Sequence, residues 1–272
     1  MKNNILSFLV LSLTAVVLWS CETDKSQQLE KKNWQMVWSD EFNGNSGEAP
    51  NAANWTYDIG ASGWGNQELQ YYTSRPENIQ QDGNGNLVIT ARKESYNGAP
   101  FTSARLKSQG LQEFKYGRVE ARLKTPYGPG IWPAFWMLGS NINTVSWPQC
   151  GEIDIMELKG QLPSIISGTL HGPGYSAGNA ITKSYGLQNG RFDNDFHLFA
   201  VEWNESSIDF FVDDYMYQRI DRSKVTGEWV FDQSFFLIFN IAVGGNYVGF
   251  PTNQTPFPQK MTIDYVRVYK QQ

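Results

Sequence analysis

The sequence predicts an all-β fold, a jelly-roll sandwich of two antiparallel sheets. From Trp34 onward, about eleven short runs rich in Val, Ile, Phe, Tyr and Trp are bounded by Gly, Asn, Asp and Pro, which is typical of strands. No run carries a helical apolar stripe longer than two turns. Strands without intervening helices favour packed antiparallel sheets over a βαβ architecture.

Individual segments support this fold in chain order. Residues 34–42 and 261–269 are strand-like at opposite ends of the domain, and we expect them to pair. Residues 82–86 form a turn that leads into a strand at 87–91. Residues 117–124 alternate between apolar and charged side chains, which predicts a half-exposed strand.

Two later segments, residues 196–203 and 235–243, are apolar on both faces. This pattern indicates inner strands that are covered on both sides. Asp213 and Asp214 are expected to turn a hairpin that begins at Ile208. About eleven strands account for the length of one domain, residues 34–272.

Composition restricts the class of ligand. Lys and Arg number 22 against 27 Asp and Glu, so the net charge is −5, which disfavours a nucleic acid as partner. Aromatic residues make up 14% of the chain and include ten Trp, and such rings offer platforms for neutral sugar rings. The alternative is that a large sandwich core requires these aromatic side chains for packing.

The first twenty residues predict export. Lys2 provides a positive start, residues 5–18 are apolar, and Leu-Trp-Ser precedes Cys21. Residues 1–20 are similar to the signal peptide of bacterial lipoproteins, in which the cysteine is lipidated, so we expect a membrane anchor at Cys21, at the outer membrane or cell surface. An ordinary secretory signal with an incidental Cys21 is the alternative. Residues 21–33 are polar and predict a flexible tether, and Cys150 has no disulfide partner in prospect.

The most informative segment is residues 147–158, in which three acids interrupt an apolar strand. On a regular strand Glu152 and Asp154 share one face, whereas Glu157 points to the other. A one-residue β-bulge near Ile155 and Met156 would return Glu157 to the face of the first two acids. The chemistry of this segment therefore depends on a bulge.

Two carboxyl groups about 5–5.5 Å apart are the arrangement of a retaining glycosidase. In that case Glu152 is the nucleophile, Glu157 is the general acid and base, and Asp154 shares a proton with Glu152. Two alternatives remain open from the acids alone. The three side chains could form an acidic strand face without a role, or a carboxylate site for Ca²⁺ or Mg²⁺.

Beyond these acids, the chain resembles family 16 glycoside hydrolases, and within them the laminarinase-like endo-β-1,3-glucanases. The resemblance extends over residues 38–269. The segments that carry it, in chain order, are residues 38–42, 65–73, 130–138, 152–157, 171–174, 196–203 and 240–245.

The resemblance implies a jelly roll with a concave substrate cleft, retention of configuration and the roles given above for the three acids. It also implies sugar-binding positions, for which core packing is the alternative in the case of the tryptophans: Trp132, Trp136, Asn66, Glu68, Arg105 and His171. Trp132 and Trp136 would stack on sugars of the glycone side, and His171 would lie near the acid/base. His197, inside an apolar strand, is expected to be structural.

Further expectations concern metals and partners. The resemblance implies no cofactor for catalysis and a possible structural Ca²⁺ held by Glu41 and Asp264. The expected ligand is a β-1,3-glucan or mixed-linkage β-glucan, bound by a monomer. Residues 130–138 and 146–158 contain no Lys or Arg, which disfavours sulfated galactans. The alternatives are a galactanase of the agarase or carrageenase kind and a cell-surface glucan-binding protein without activity.

Overall fold

The structure is a computed structural model that describes Gln27, Leu29 and residues 31–272. Lys31–Gln272 form one compact unit. It is the second unit of the chain and contains every strand of the described residues. The predicted signal peptide, Cys21 and most of the predicted tether lie outside the described residues. Within the described part, no helix has the length and apolar character needed to cross a membrane.

The second unit is built almost entirely of strands, joined by loops and three single 3₁₀ turns at Gly63–Gly65, Ala177–Asn179 and Arg222–Lys224. In chain order its eighteen strands are β1 (Trp34–Asp40), β2 (Thr56–Asp58), β3 (Gln70–Tyr72), β4 (Ile79–Gln81), β5 (Leu87–Ala91), β6 (Phe101–Ser103), β7 (Arg105–Lys107), β8 (Glu113–Phe114), β9 (Gly117–Lys124), β10 (Ile131–Gly139), β11 (Glu152–Leu158), β12 (Ile165–His171), β13 (Ile181–Gly186), β14 (His197–Trp203), β15 (Ser207–Val212), β16 (Tyr215–Asp221), β17 (Phe235–Val243) and β18 (Gln259–Gln271). The expected number of about eleven was too low, because six strands have only two or three residues and give no periodic signal.

Two large antiparallel sheets form the predicted jelly-roll sandwich. The first has the strand order β16-β15-β14-β9-β18-β5-β4, with β1 also paired to β18. The second has the order β13-β12-β11-β10-β17-β7-β2, with β8 also paired to β17. A small parallel pair, β3 and β6, lies apart from both. The all-β prediction is confirmed.

The two ends of the domain meet in the first sheet, as expected. β1 pairs antiparallel with β18, from Trp34 opposite Gln271 onward. The residues just before β1 also contact the domain, since Lys32 Nζ lies 2.5 Å from a carboxylate oxygen of Glu202. The backbone N–H of Gln272 donates to the carbonyl of Asn33. The compact unit therefore begins at Lys31, three residues before its first strand.

The core lies between the sheets and is filled with aromatic and aliphatic side chains. Phe135 and Phe239 stack face to face with ring centroids 4.5 Å apart. All nine residues of β17 are buried, which confirms that this segment is covered on both faces. The hairpin turn at Asp213 and Asp214 and the turn before β5 are also present as predicted, with φ of 47° and 66° at the two aspartates.

One expectation about exposure is wrong. β9 has the predicted bounds, but its charged face is buried rather than solvated, because β9 is a central strand between β14 and β18. Arg118 donates to Glu120 over 2.7 Å and to Glu202 over 3.2 Å. Tyr269 adds a hydroxyl donor to Glu120 over 3.0 Å. Burial of charge is tolerated here because each charged group has partners.

Candidate active site

Strand β11 contains the bulge on which the chemistry depends. Its register with β10 skips Ile155, because two consecutive residues of β10 pair with Met156 and Asp154. Its register with β12 shifts between Asp154 and Glu157. The predicted irregularity is therefore confirmed at the predicted residues.

The bulge separates apolar from acidic side chains along the strand. Ile153, Ile155 and Met156 are all part of the buried core. The consecutive residues Ile155 and Met156 thus both pack in the core. As a result, Glu157 returns to the side of the strand that carries Glu152 and Asp154. The acids lie on the face of the second sheet that points away from the core, where Asp154 is buried and the two glutamates are half-buried.

Burial raises the pKa of all three acids, so that they stay protonated at a higher pH than exposed carboxyl groups do. Burial and then the charge of Asp154 raise the pKa of Glu152 to about 8. Burial and then the charge of Glu152 raise the pKa of Glu157 to about 7. The pKa of Asp154 is raised well above its usual range by burial and by the charge of Glu157. A side-chain hydrogen bond joins Glu152 and Asp154, so one proton lies between them, and the three acids titrate as a group.

The raised pKa values predict how stability depends on pH. A carboxyl whose pKa is higher in the folded chain binds more protons when folded, so stability falls as the pH rises from the ordinary value to the folded value. For Glu152 this range runs from 4.5 to about 8. We expect Glu152→Gln to raise the Tm above the wild-type value by a few degrees at pH 8 and by less at pH 5, since about 1 kcal/mol corresponds to roughly 2–4 °C in a domain of this size.

Differential scanning calorimetry at the two pH values measures this effect. Glu77→Gln is the matched control, because it removes the charge of an exposed glutamate and should give the same Tm difference at both pH values. The same difference at pH 5 and pH 8 for Glu152→Gln would contradict the assignment of a raised pKa to this carboxyl.

His171 contacts the first two acids, and its charge also lowers the pKa of Glu157. Its Nε2 is 3.1 Å from Asp154 Oδ2 and 3.7 Å from Glu152 Oε1. Its Nδ1 accepts the backbone N–H of Ala177 over 3.1 Å, so the neutral ring carries its proton on Nε2.

Glu152, Asp154 and His171 form a group that could hold a metal ion, with ligand atoms within 4.8 Å of one another. The tautomer set by Ala177 places a proton, not a lone pair, on the nitrogen that faces the carboxylates. A metal would have to displace this proton and break the hydrogen bond between Glu152 and Asp154. The geometry therefore favours proton chemistry over metal coordination at these residues.

Trp132 connects the neighbouring strand to the third acid. Its Nε1–H donates to Glu157 Oε1 over 2.9 Å and stabilises the ionised form of that carboxyl. The ring of Trp132 lies against Tyr247, with centroids 4.9 Å apart, and Lys159 Nζ lies 4.2 Å from the centroid of Tyr247. Trp132 thus lies on the same face as the acids and contacts Glu157 directly.

Trp136 is held in place by a chain of buried polar groups. Its Nε1–H donates to Asn240 over 2.7 Å, and Asn240 donates to the hydroxyl of Tyr72 over 3.1 Å. Tyr72 donates to Glu68 over 3.2 Å, and Glu68 also accepts from Asn66 over 3.3 Å. The predicted positions Trp136, Glu68 and Asn66 therefore belong to one network.

Arg105 lies between two indole rings, with its guanidinium carbon 5.1 Å from the ring centroid of Trp64 and 4.7 Å from that of Trp136. Asp58 fixes it from the side through a 2.9 Å ion pair. Arg105 also lowers the pKa of Glu152, although burial outweighs this effect. The structure thus brings the predicted binding residues to the same face of the second sheet as the acids.

Sequence reasoning missed several residues of this site, namely Asp58, Trp64, Tyr72, Trp147, Asn240 and Tyr247. One signal was present. Asn240 is the only polar residue of the nine in β17, and a buried amide in an apolar strand requires a partner. For the four aromatic residues of this list, no local pattern distinguishes a side chain in the cleft from one in the core. Asp58 likewise gives no local signal.

The two expected calcium ligands are each paired with an arginine. Glu41 accepts two hydrogen bonds from Arg267, over 2.9 and 2.8 Å. Asp264 pairs with Arg122. Neither acid belongs to a group of three His, Cys, Asp or Glu side chains that could hold a metal among residues 31–272. The structural Ca²⁺ stays a prediction.

Known proteins are similar to this chain over most of its length. Residues 66–267 match the model of glycosyl hydrolases family 16. A β-glucanase of Rhodothermus marinus is 42% identical over 93% of this chain and 92% of its own length.

Two solved structures are similar over most of the chain. The catalytic domain of an endo-1,3-β-glucanase (laminarinase) from Thermotoga petrophila is 46% identical, with a TM-score of 0.84 over 89% of this chain and 100% of its own. An endo-β-1,3-glucanase from Pyrococcus furiosus is 47% identical, with a TM-score of 0.85 over 90% of this chain and 97% of its own. The chain belongs to glycosyl hydrolases family 16.

Proposed function

We propose that this protein is a retaining endo-hydrolase of β-1,3-glucan of the laminarin type, or of mixed-linkage β-glucan. The observation that carries the proposal is the presence of three proton-holding carboxyl groups on one face of a bulged strand, beside a tryptophan that donates to one of them. The relatives described as β-glucanase and laminarinase support a glucan as substrate. Arg105, which lies near the acids, is already paired with Asp58, which favours a neutral sugar over a sulfated one.

The reaction proceeds by double displacement. Glu152 attacks the anomeric carbon while Glu157 protonates the leaving oxygen, so that the C–O bond to the leaving sugar breaks as a bond to Glu152 forms. Glu157 then takes a proton from water, and the water oxygen displaces Glu152. Two inversions at the same carbon retain the β configuration.

The protonation of the group must match these roles, because the nucleophile needs a charge and the acid needs a proton. In the free site, however, the pKa of Glu152 is about 8 and that of Glu157 is about 7, the opposite of the order that these roles need. The hydrogen bond between Glu152 and Asp154 resolves this difference. In the free site this bond raises the pKa of Glu152 and lowers that of Asp154, so the shared proton lies on Glu152. Asp154, whose pKa burial raises well above its usual range, takes this proton as Glu152 attacks the anomeric carbon. His171 holds Asp154 from the other side.

A substrate panel tests the proposal. The protein is incubated with laminarin, mixed-linkage glucan, agarose and carrageenan, and reducing ends and the first anomer are followed by chemical assay and NMR. We expect laminarin to be cut with the β-anomer appearing first. An initial α-anomer would contradict retention, cleavage of agarose or carrageenan alone would indicate a galactanase, and binding of glucan without cleavage would indicate a glucan-binding protein.

We also propose that the protein is exported and anchored to a bacterial membrane through lipidated Cys21. The support is the sequence pattern of Lys2, the apolar residues 5–18 and Leu-Trp-Ser before the cysteine. Expression in a bacterium fed an alkyne fatty acid should label the wild-type protein in the membrane fraction, and Cys21→Ser should remove both the label and the membrane association. A labelled Cys21→Ser variant would contradict this assignment, and Cys150→Ser is the control that should keep the label.

A further inference from the structure

The two tryptophans expected to stack on glycone sugars lie on one side of strand β11, and so does the expected cleft residue Arg105. Trp132 and Trp136 are on β10, and Arg105 is on β7, two strands further in the same direction. On the opposite side of β11, the sheet continues with β12 and then β13. If the proposed function holds, the sugars that leave with the protonated oxygen must lie over these two strands.

The surface of β12 and β13 is suited to a polar, uncharged ligand. Ser167 and Ser184 face each other across the two strands with hydroxyl oxygens 2.9 Å apart, and Thr169 and Thr182 do the same at 3.0 Å. In each pair one hydroxyl donates to the other, so lone pairs remain for additional donors. Sugar hydroxyls are donors and acceptors of matching kind.

Trp147 stands at the edge of this surface. It is 41% exposed and is the only tryptophan among residues 31–272 in the exposed class. Its ring lies against the ring of His171, the last residue of β12, with centroids 5.8 Å apart. An indole that contacts a residue of the catalytic group and keeps a large part of its surface in solvent has one face available for a ligand.

The loop that carries Trp147 is fixed to the sheet. Gly139 donates its backbone N–H to Gly151 over 3.1 Å, which closes the loop at its base. The side chain of Gln233 donates to the carbonyl of Cys150 over 2.7 Å. Cys150 is fully buried against Ile238 in a second apolar cluster beneath the loop. A ring held this way has already lost conformational freedom, so binding on it costs little additional entropy.

We propose that Trp147 is the aromatic platform of a leaving-group subsite, where it stacks on a neutral pyranose that rests on the serine and threonine pairs of β12 and β13. This inference rests on the proposed function, since it assigns the side of the cleft that accepts the departing segment. Trp147 then determines how well a sugar leaving group is held, but not how well the glycone is held.

Two substrates that share a glycone separate these effects. Laminaritetraose has a sugar leaving group, whereas β-laminaribiosyl fluoride has a single atom that cannot reach Trp147. With the fluoride, the C–F bond breaks as the bond to Glu152 forms, and fluoride ion departs. We expect Trp147→Ala to lower kcat/KM for laminaritetraose roughly tenfold, as loss of one aromatic stacking contact would. The same variant should hydrolyse the fluoride within about twofold of the wild-type rate.

Trp147→Phe should recover most of the loss on laminaritetraose, because it restores an aromatic face. Met36→Ala is the control, since Met36 is 51% exposed and lies on β1 in the first sheet. Equal losses on both substrates, or no loss on either, would overturn the assignment of Trp147. A wild-type protein that cleaves neither substrate would instead overturn the proposed function, and this inference with it.

Discussion

Replacing Glu152 by alanine is expected to lower kcat on β-1,3-glucan by more than about 10⁴-fold, because no other group can form the covalent intermediate. The variant loses the atom that attacks the anomeric carbon, while Glu157 and the cleft tryptophans remain. Substrate binding should therefore persist. Steady-state release of reducing ends from laminarin measures the loss, and calorimetric titration with an oligosaccharide measures the binding.

Added azide identifies the missing role of Glu152. In the Glu152→Ala variant, azide can occupy the space of the carboxylate and attack the anomeric carbon of a β-glycoside directly. One displacement inverts the carbon, so the product should be an α-glycosyl azide. A β-glycosyl azide would mean that Glu152 is not the nucleophile.

Replacing Glu157 by alanine is expected to lower kcat on glucan by about 10²–10⁴-fold, because a poor leaving oxygen then departs without a proton. On β-laminaribiosyl fluoride the first step needs no acid, so the glycosyl-enzyme should form and accumulate. The measurements are a burst of fluoride and a mass increase of the protein by one laminaribiosyl group. Azide should attack this intermediate and give the β-glycosyl azide, which is the opposite anomer to that of Glu152→Ala.

Glu77→Ala is the shared control for both variants, because it removes an exposed glutamate in the turn before β4, a strand of the first sheet. Its kcat should match that of the wild type. If both active-site variants gave the same anomer of glycosyl azide, the two glutamates would not have separate roles. If Glu157→Ala lost the fluoride burst entirely, Glu157 would be needed for attack and not for protonation.

Much of the fold follows from local patterns. The bounds of β9 are predictable because its side chains alternate with the pleat of a strand. Those of β17 are predictable because a continuous apolar run is bounded by polar residues before it and by two glycines after it. The bulge in β11 is also predictable, since three acids on an otherwise apolar strand share a face only if one extra residue is inserted. The short strands carry too few residues to show any period.

The expectations that failed depend on what surrounds a strand. Arg118 and Glu120 alternate as exposed residues do, but the strands on either side bring Glu202 and Tyr269 to them and bury the group. In the same way, the arginines that pair with Glu41 and Asp264 come from distant parts of the chain. A neighbouring charge of opposite sign is not visible in the local sequence.

By itself, the sequence determined the all-β class, the acids, their bulge and the tryptophans on one face, because these are consequences of strand periodicity over a few residues. Only the tertiary structure decided which partner each side chain has. Trp136 and Asn240 are 104 residues apart in the chain yet share a hydrogen bond, and Trp147 meets His171 through a loop closed by backbone hydrogen bonds. Such contacts depend on the order and register of distant strands, and both are set by packing of the whole sandwich.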